Sequence, residues 1–359
     1  MPDRPGRSLD VGWEEIAAVM DTLRGDYGDG GEPVARFEQL FATWTGVGHA
    51  VAVSSGTAAL HLALRANGVG RGARVVTSPL ASRASTERAI EMAGCEPVYA
   101  EVDPHAWTLA AASVEARVKE GAGAIVAVHA FGQVCDMDAL ASVAERYDVP
   151  LLEDCVAAPG GEWNGRRVGS FGTGCFSCDE ESTACAGGGG MVTTDSLFVA
   201  SVVRELRQRA NGFDCLMPGL CGVIGAAHIG RMRGYPELRR ENMRILREAL
   251  AGCPGLLLPR PADAATPAGQ WLPLGVGQPA VARAVWAAVR DAGYVATCVP
   301  LPSGTCLEGH AAGGGAGRAC GPSGMVVALL IDVLSTSDDL HRLAEAIRER
   351  VDVATAPQG

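Results

Sequence analysis

Short apolar runs alternate with amphipathic stretches through the middle of the chain. The runs predict strands at 51–55, 73–78, 97–102, 124–131, 150–155, 174–178 and 190–195, and the stretches between them predict helices at 57–68, 85–94 and 136–147. Strands that alternate with helices of about 10–15 residues indicate a mostly parallel, doubly wound α/β sheet. Ligands of such sheets bind beyond the carboxyl ends of the strands.

The rest of the chain predicts a second, smaller unit. Residues 197–250 are rich in arginine and helical in pattern. After them come the apolar run WLPLGVG, a helix at 279–293, a strand at 324–333 and a helix at 337–351. The glycine-rich segment 310–324 is predicted to be a flexible loop. This order predicts a large domain over residues 1–235 and a small C-terminal α+β domain over residues 236–359.

Composition narrows the class of protein. The chain has 359 residues, 48% of them hydrophobic, so it can bury a large core. A net charge of −11 without a basic cluster argues against nucleic acid as a partner. The start lacks an apolar signal segment, and no apolar run approaches the ~20 residues that span a membrane, so we expect a soluble, cytoplasmic protein. The twelve cysteines are scattered through a large chain, which favours reduced thiols that fill space.

Two features of the predicted sheet are candidates for chemistry. Ser55, Gly56 and Thr57 join a strand to a helix, where backbone N–H groups can bind an anion and glycine permits close approach. A tight turn without a ligand is the commoner explanation of such a junction. Asp154 ends an apolar strand, and we expect its carboxylate to face either a ligand cation or a local N–H group.

Five segments follow one another in a recognisable order and spacing. They are residues 28–64, 97–104, 128–140, 151–172 and 174–195. On these segments the chain resembles the DegT/StrS-type aminotransferases, which make amino sugars and aminocyclitols with pyridoxal phosphate. The resemblance covers roughly residues 20–250. It implies a fold-type I aminotransferase architecture with a seven-stranded, mostly parallel sheet, and a homodimer with sites at the subunit interface.

Part of the family's site is present. The resemblance implies that Ser55, Gly56 and Thr57 cradle the cofactor phosphate and that Ser177 lies near it. Asp154 matches the carboxylate that pairs with the pyridinium nitrogen, which makes the ring an electron sink.

The rest of the family's site is changed. Ser182 stands at the position of the catalytic lysine. The other departures are Asp179 for a histidine, Gly188 for a glutamate, Ala157 for a glutamine, Ser82 or Arg83 for the aromatic that stacks on the ring, and Pro218–Leu220 for an Asn-x-Arg motif. Of the 30 basic residues only Lys119 is a lysine, and it lies in a predicted amphipathic helix, SVEARVKE, as a surface residue.

These changes bear directly on the chemistry. A serine hydroxyl forms no Schiff base and is a poor base near neutral pH, whereas general-base catalysis alone contributes about 10²–10⁴-fold. We therefore expect no conventional transamination by this chain alone. The composition and the family together are typical of amino-sugar or secondary-metabolite biosynthesis, including antibiotics.

Two hypotheses follow. In the first, the protein is a catalytically silent partner subunit that pairs with a lysine-bearing homologue, as an alternative to a homodimer. In the second, it is an enzyme with dehydration, cyclisation or isomerisation chemistry, using non-covalent pyridoxamine or pyridoxal phosphate or no cofactor. Asp179, Glu180 and Glu181 would then supply the proton-moving group, because a carboxylate in a closed cleft can have a raised pKa. An exposed acidic loop is the simpler explanation of these three residues.

The cysteines and one histidine near these motifs receive structural roles. Cys175 and Cys178 have a C-x-x-C spacing, but residues three apart on a strand face opposite sides, so we expect packing and no metal site. His129, at the end of its strand, is also expected to be structural.

Overall fold

The structure is a computed structural model and describes residues 12–25, 31–80, 85–179, 182–211, 213–232, 234–303, 305–310, 316–320, 324–331 and 333–356. Its first part contains α1 (Trp13–Arg24), α2 (Gly31–Thr45), β1 (His49–Val53), α3 (Gly56–Ala66), β2 (Arg74–Thr77), α4 (Ser85–Met92), β3 (Glu96–Tyr99), α5 (Ala111–Lys119), β4 (Ala124–Val128), α6 (Met137–Tyr147), β5 (Leu151–Asp154), β6 (Glu162–Trp163), β7 (Arg166–Arg167), β8 (Thr173–Ser177), β9 (Gly190–Thr194), α7 (Leu197–Leu206) and α8 (Gly219–Met232).

A seven-stranded sheet organises this part of the chain. Its strand order is β1-β9-β8-β5-β4-β2-β3, and β9 alone of these seven runs antiparallel to its neighbours. The strand β4 is buried along its whole length and reads AIVAV, as expected for a parallel strand covered on both faces. The predicted doubly wound α/β fold with a seven-stranded sheet is therefore confirmed.

Helices cover the sheet on both faces because successive strand side chains point in opposite directions. In β1, Val51 and Val53 join the core beneath α3, α4 and α7, while Ala50 and Ala52 join the core beneath α2, α5 and α6. Because β2, β3, β4 and β5 run parallel, their carboxyl ends lie along one edge of the sheet.

The second part contains α9 (Tyr235–Leu250), β10 (Leu256–Leu257), β11 (Ala265–Thr266), β12 (Trp271–Val276), α10 (Pro279–Asp291), β13 (Ala296–Pro300), β14 (Cys306–His310), β15 (Ala316–Cys320), β16 (Met325–Leu330) and α11 (Ser337–Thr355). An antiparallel sheet in the order β10-β12-β16-β13 packs against α9, α10 and α11 around its own core. This is the predicted α+β character. Strand β11 instead pairs with β6, which pairs with β7. The division of the chain at residue 235 stays a prediction.

Two expectations about the C-terminal region are wrong. The segment 310–324 contains a strand, because β15 pairs with β14 as an antiparallel hairpin. Its glycine-rich composition hides the strand, whose stability comes from a partner rather than from an alternating pattern. Cys306 is disulfide-bonded, whereas ten other cysteines are free thiols as expected. No helix in the described ranges is long and apolar enough to cross a membrane.

Candidate active site

The junction between β1 and α3 is a capped helix start. Ser55 is the N-cap of α3, and its Oγ accepts a hydrogen bond from the amide of Ala58 at 3.1 Å. The amides of Gly56 and Thr57 lie in the first turn, where a helix offers no acceptor of its own. Together with the positive end of the helix dipole, these amides can bind an anion such as a phosphate.

Gly56 packs closely against residues at two other strand ends. A Cβ at this position would lie 3.1 Å from Ser177 Cβ and 3.4 Å from Val156 Cγ2. Ser177 ends β8, and Val156 follows the end of β5. The absence of a side chain therefore lets the helix start, Ser177 and the segment after Asp154 lie close together.

Asp154 ends β5 and is only 5% exposed. Its Oδ2 accepts a hydrogen bond from Thr86 Oγ1 at 2.5 Å, and its Oδ1 accepts one from the amide of Val156 at 3.1 Å. Burial raises the pKa of Asp154, and the two hydrogen bonds and nearby His129 lower it by a smaller amount. The sequence left two kinds of partner open for this carboxylate, a ligand cation and a local N–H group. The structure provides the local N–H group, that of Val156. A cationic N–H group would stabilise this carboxylate further.

Thr86 is a site residue that the sequence did not reveal. It is the second residue of α4 and is buried, with its hydroxyl on the Asp154 carboxylate. The two residues are 68 positions apart and belong to different strand–helix units, so no local pattern connects them.

His129, Glu153 and Cys155 form a buried group whose potential metal-ligating atoms lie within 4.8 Å of one another. The Glu153 carboxylate, however, is already engaged. It lies 3.3 Å from His129 Nε2 and accepts hydrogen bonds from the amides of Gly169 (2.8 Å), Phe171 (2.8 Å) and Gly172 (3.1 Å). The Cys135 amide also donates to His129 Nδ1 at 3.2 Å. These bonds favour a structural role, because they tie β4 and β5 to the loop before β8.

Ser182, at the family's lysine position, is 1% exposed and faces its own turn. Its Oγ accepts a hydrogen bond from the Ala184 amide at 3.1 Å, and its amide donates to the Asp179 carbonyl at 3.1 Å. The hydroxyl therefore serves as a turn acceptor.

The next residue anchors this turn to the C-terminal part of the chain. Thr183 Oγ1 donates to Gln270 Oε1 at 3.0 Å, and the buried Arg239 donates from Nη1 to Thr183 Oγ1. A long side chain at Ser182 would have to fit into a segment fixed at its neighbour.

Asp179 is held beside the turn of Ser55, Gly56 and Thr57, which is called the cradle below. Its Oδ2 accepts a hydrogen bond from Ser177 Oγ at 2.9 Å, and Ser177 packs on Gly56. A carboxylate at this place weakens the binding of a phosphate at the cradle, because like charges repel. The other residues of the predicted acidic loop, Glu180 and Glu181, lie outside the described residues, as do Ser82 and Arg83.

The glycine run after Ser182 has a backbone that other residues rarely adopt. Gly187, Gly188 and Gly189 have φ values of +74°, +152° and +103°. The Gly188 amide donates to the Cys178 carbonyl at 3.0 Å, and the Cys178 amide donates to the Gly189 carbonyl at 2.9 Å. A glutamate at Gly188, as the family pattern has, would be strained in this loop.

The remaining departures lie at separate places. Ala157 is buried beside Phe131, and Gly132 lies against its carbonyl. Pro218 precedes α8, and Gly219 and Leu220 are the first two residues of that helix. Lys119 ends α5 with its side chain 58% exposed and its Nζ 3.1 Å from Glu115 Oε1. The prediction that Lys119 is a surface residue is confirmed.

The C-x-x-C pair divides between the two faces of the sheet. Cys175 packs in the core beneath α3, and Cys178 packs in the core beneath α2. Burial raises the pKa of both thiols well above the usual value, which keeps them protonated at neutral pH. They act as small apolar fillers, as expected.

Comparison with known proteins identifies the family to which this chain belongs. The model of the DegT/DnrJ/EryC1/StrS aminotransferase family matches residues 10–296. The spore coat polysaccharide biosynthesis protein SpsC of Bacillus subtilis (strain 168) is 35% identical over 271 residues, which are 69% of this chain and 69% of SpsC. Two further curated relatives are matched over 64% and 62% of their length.

Solved structures show the same fold over nearly the whole chain. The sugar aminotransferase CalS13 from Micromonospora echinospora has a TM-score of 0.80 at 24% identity and covers 97% of this chain and 100% of its own. The PMP-form of Spr1654 from Streptococcus pneumoniae has a TM-score of 0.82 at 16% identity and covers 98% of both chains. The family match extends over most of the chain. The protein therefore belongs to the DegT/DnrJ/EryC1/StrS aminotransferase family, which depends on pyridoxal phosphate and includes biosynthetic sugar aminotransferases.

Proposed function

We propose that this chain does not carry out Schiff-base transamination alone and that it acts in amino-sugar biosynthesis as the partner subunit of a lysine-bearing homologue. One observation carries the proposal. The only lysine of the chain is exposed and paired with Glu115, while Ser182 at the family's lysine position is buried in its own turn.

The position of Lys119 relative to the sheet supports this proposal. Helix α5 ends at Lys119 and leads into the amino end of β4, whereas Asp154 lies at the carboxyl end of the neighbouring strand β5. Strands of four to five residues at ~3.3 Å per residue separate these two edges by roughly 13–17 Å. Lys119 therefore cannot form a bond with a group held at Asp154.

The cradle itself fits a phosphorylated pyridine held without a covalent bond. The amides of Gly56 and Thr57 would hold the phosphate, and Asp154 would accept a hydrogen bond from a protonated ring nitrogen. Such a cofactor supplies an electron sink when bound. Asp179 opposes the phosphate from beside Ser177, so we expect weak binding, which favours a silent partner over an independent enzyme.

Exposed apolar side chains support association with another subunit. Trp13 and Leu23 on α1 are 78% and 63% exposed, and Leu197 and Phe198 at the start of α7 are 63% and 71% exposed. Large apolar side chains that remain in water on a folded chain are typical of surfaces that bind protein.

Activity and assembly test the partner role together. The chain alone should show no amino transfer from an amino-acid donor to a keto-sugar, and no absorbance of a covalent lysine–cofactor bond. Mixed with a lysine-bearing homologue from the same genome, it should form a hetero-oligomer by size exclusion with multi-angle light scattering. Transamination by the chain alone, or a stable homodimer that exchanges no subunits with such a homologue, would contradict the proposal.

A second function is favoured by the retained carboxylate. Asp154 is buried with a raised pKa, and Asp179 stands near the cradle, so two carboxylates are available to hold or move a proton. The chain would then catalyse dehydration, cyclisation or isomerisation with non-covalent pyridoxamine phosphate or with no cofactor. Conversion of a keto-sugar that is lost in both Asp154→Asn and Asp179→Asn would support this function. Conversion that is unchanged in both variants would exclude these carboxylates from it.

A further inference from the structure

The hairpin of β14 and β15 carries a cross-strand pair of cysteines. Of the twelve cysteines in the chain, ten are free thiols and Cys306 is disulfide-bonded. The remaining cysteine is Cys320. The register of the hairpin makes Cys306 and Cys320 direct Cα partners. Residues directly opposite each other on antiparallel strands lie about 4.5–5.5 Å apart, which is a distance that a disulfide spans.

The hairpin has little stability of its own. In the part of the chain that the structure describes, β14 and β15 form a sheet of two strands without a third. A two-stranded hairpin by itself is only marginally stable in water. The segment between its strands reads AAGGG, and glycine loses more conformational freedom on folding than any other residue. A bond between residues 306 and 320 closes a loop of about 15 residues and so removes much of the freedom of the open state.

The closed hairpin joins two parts of the fold. Leu307 and Ala319, the pair next to the cysteines, are fully buried in the core beneath α3. The amide of Glu308 donates a hydrogen bond to the Pro104 carbonyl at 2.6 Å, and the Trp107 indole N–H donates one to the Glu308 carbonyl at 3.1 Å. Closure of the hairpin therefore holds this C-terminal segment against the turn that follows β3.

Cys306 lies where a reductant can approach it. It is half-buried and lines a cleft of about 500 Å³ at the carboxyl end of β3. Thiol–disulfide exchange requires access to a sulfur atom, so this position favours reduction. Most of the free cysteines, in contrast, are buried. One accessible disulfide in a chain that otherwise keeps its thiols is typical of a bond that responds to redox conditions.

We propose that Cys306 and Cys320 form a reversible disulfide that holds the hairpin closed under oxidising conditions and releases it under reducing conditions. A thiolate of a dithiol reductant attacks the Cys306 sulfur, and Cys320 leaves and takes up a proton. The second thiol of the reductant then releases Cys306 as a thiol, so two electrons pass to the protein and the reductant becomes a disulfide. The inference involves neither the cradle nor a partner subunit.

Alkylation and limited proteolysis of the full chain test the proposal. After mild oxidation, peptide mapping should find residues 306 and 320 linked, with the other cysteines alkylated. Trypsin cleavage after Arg318, within β15, then reports opening of the hairpin. We expect reduction by dithiothreitol to speed this cleavage roughly 100-fold, and oxidised glutathione to reverse the effect. Cleavage after the fully buried Arg239 reports global unfolding and should remain slow in both redox states.

Matched variants identify the bond. Cys306→Ser and Cys320→Ser should each be cleaved after Arg318 at the rate of the reduced wild type, with or without reductant. Cys298→Ser changes another half-buried cysteine and should keep the wild-type response. Twelve alkylated thiols in the oxidised protein, a different linked pair, or a cleavage rate that ignores the redox state or the two serine substitutions would overturn the proposal. The proposed partner role stands in each case, because that role is measured by assembly.

Discussion

Replacement of Asp154 by asparagine should change the stability of the protein and its affinity for a cationic ligand in opposite directions. Burial raises the pKa of this carboxyl above its value in the unfolded chain, although the hydrogen bonds from Thr86 and Val156 oppose the shift. The ionised carboxylate therefore destabilises the folded protein at neutral pH. Asparagine removes the charge and keeps an oxygen acceptor, so we expect Asp154→Asn to stabilise the ligand-free protein near pH 7.

The pH dependence has a defined sign. Between the unfolded and the folded pKa of Asp154, the folded state binds more protons, so its stability falls as the pH rises through the folded pKa. The stabilisation of the folded state by the proton on Asp154 is fully present below the pKa that this group has in the unfolded chain. Asp154→Asn should flatten this part of the profile of unfolding free energy against pH.

Binding of pyridoxamine phosphate should change in the opposite direction. A hydrogen bond from a protonated ring nitrogen to a buried carboxylate contributes about 1.5–3 kcal/mol. Its loss in Asp154→Asn corresponds to roughly 10- to 150-fold weaker binding. Asp154 is 5% exposed, so solvent screens this interaction little.

Two assays measure both effects. Urea unfolding from about pH 5 to pH 8 gives the stability, and tryptophan fluorescence titration gives the affinity for pyridoxamine phosphate. Asp263→Asn is the control, because Asp263 is exposed and should change neither quantity. A variant that is less stable than wild type at every pH, with unchanged affinity, would refute the account of Asp154 as a buried charge that awaits a cation.

Four further changes test the surrounding geometry. Gly56→Ala should destabilise the protein by about 1–3 kcal/mol in urea unfolding, because its Cβ meets Ser177, whereas Gly70→Ala enters open space and should not. Asp179→Asn should strengthen binding of pyridoxamine phosphate in the same titration, since it removes a negative charge beside the cradle; unchanged or weaker binding would show that Asp179 does not oppose the phosphate. Thr86→Val should raise the pKa of Asp154 further and steepen the loss of stability with rising pH, and an unchanged profile would contradict the role of the Thr86 hydroxyl. Gly188→Glu should cost about 1–3 kcal/mol from backbone strain at φ +152°, while Gly230→Ala on α8 is a control with no atom near its new Cβ.

Local periodicity made most of the large sheet predictable. Strands such as β4 and β5 are short apolar runs between helical patterns, and their order with glycine-rich junctions is visible along the chain. The same reasoning missed the hairpin of β14 and β15, because its strands are rich in small residues and depend on each other for hydrogen bonds. Pairing of this kind is a contact between segments and leaves little trace in either one alone.

The sequence by itself determined the alternation of strands and helices, the strand-end position of Asp154, and the presence of one lysine far along the chain from the site motifs. These are properties of single segments and of composition. Only the tertiary structure decided that Thr86 bonds to Asp154, that Asp179 stands beside Ser177, and that the Ser182 hydroxyl turns into its own loop. The first of these joins residues 68 positions apart, and the other two depend on how a local turn packs against its surroundings. Such contacts follow from the way the sheet brings strand ends to one edge, which no local pattern contains.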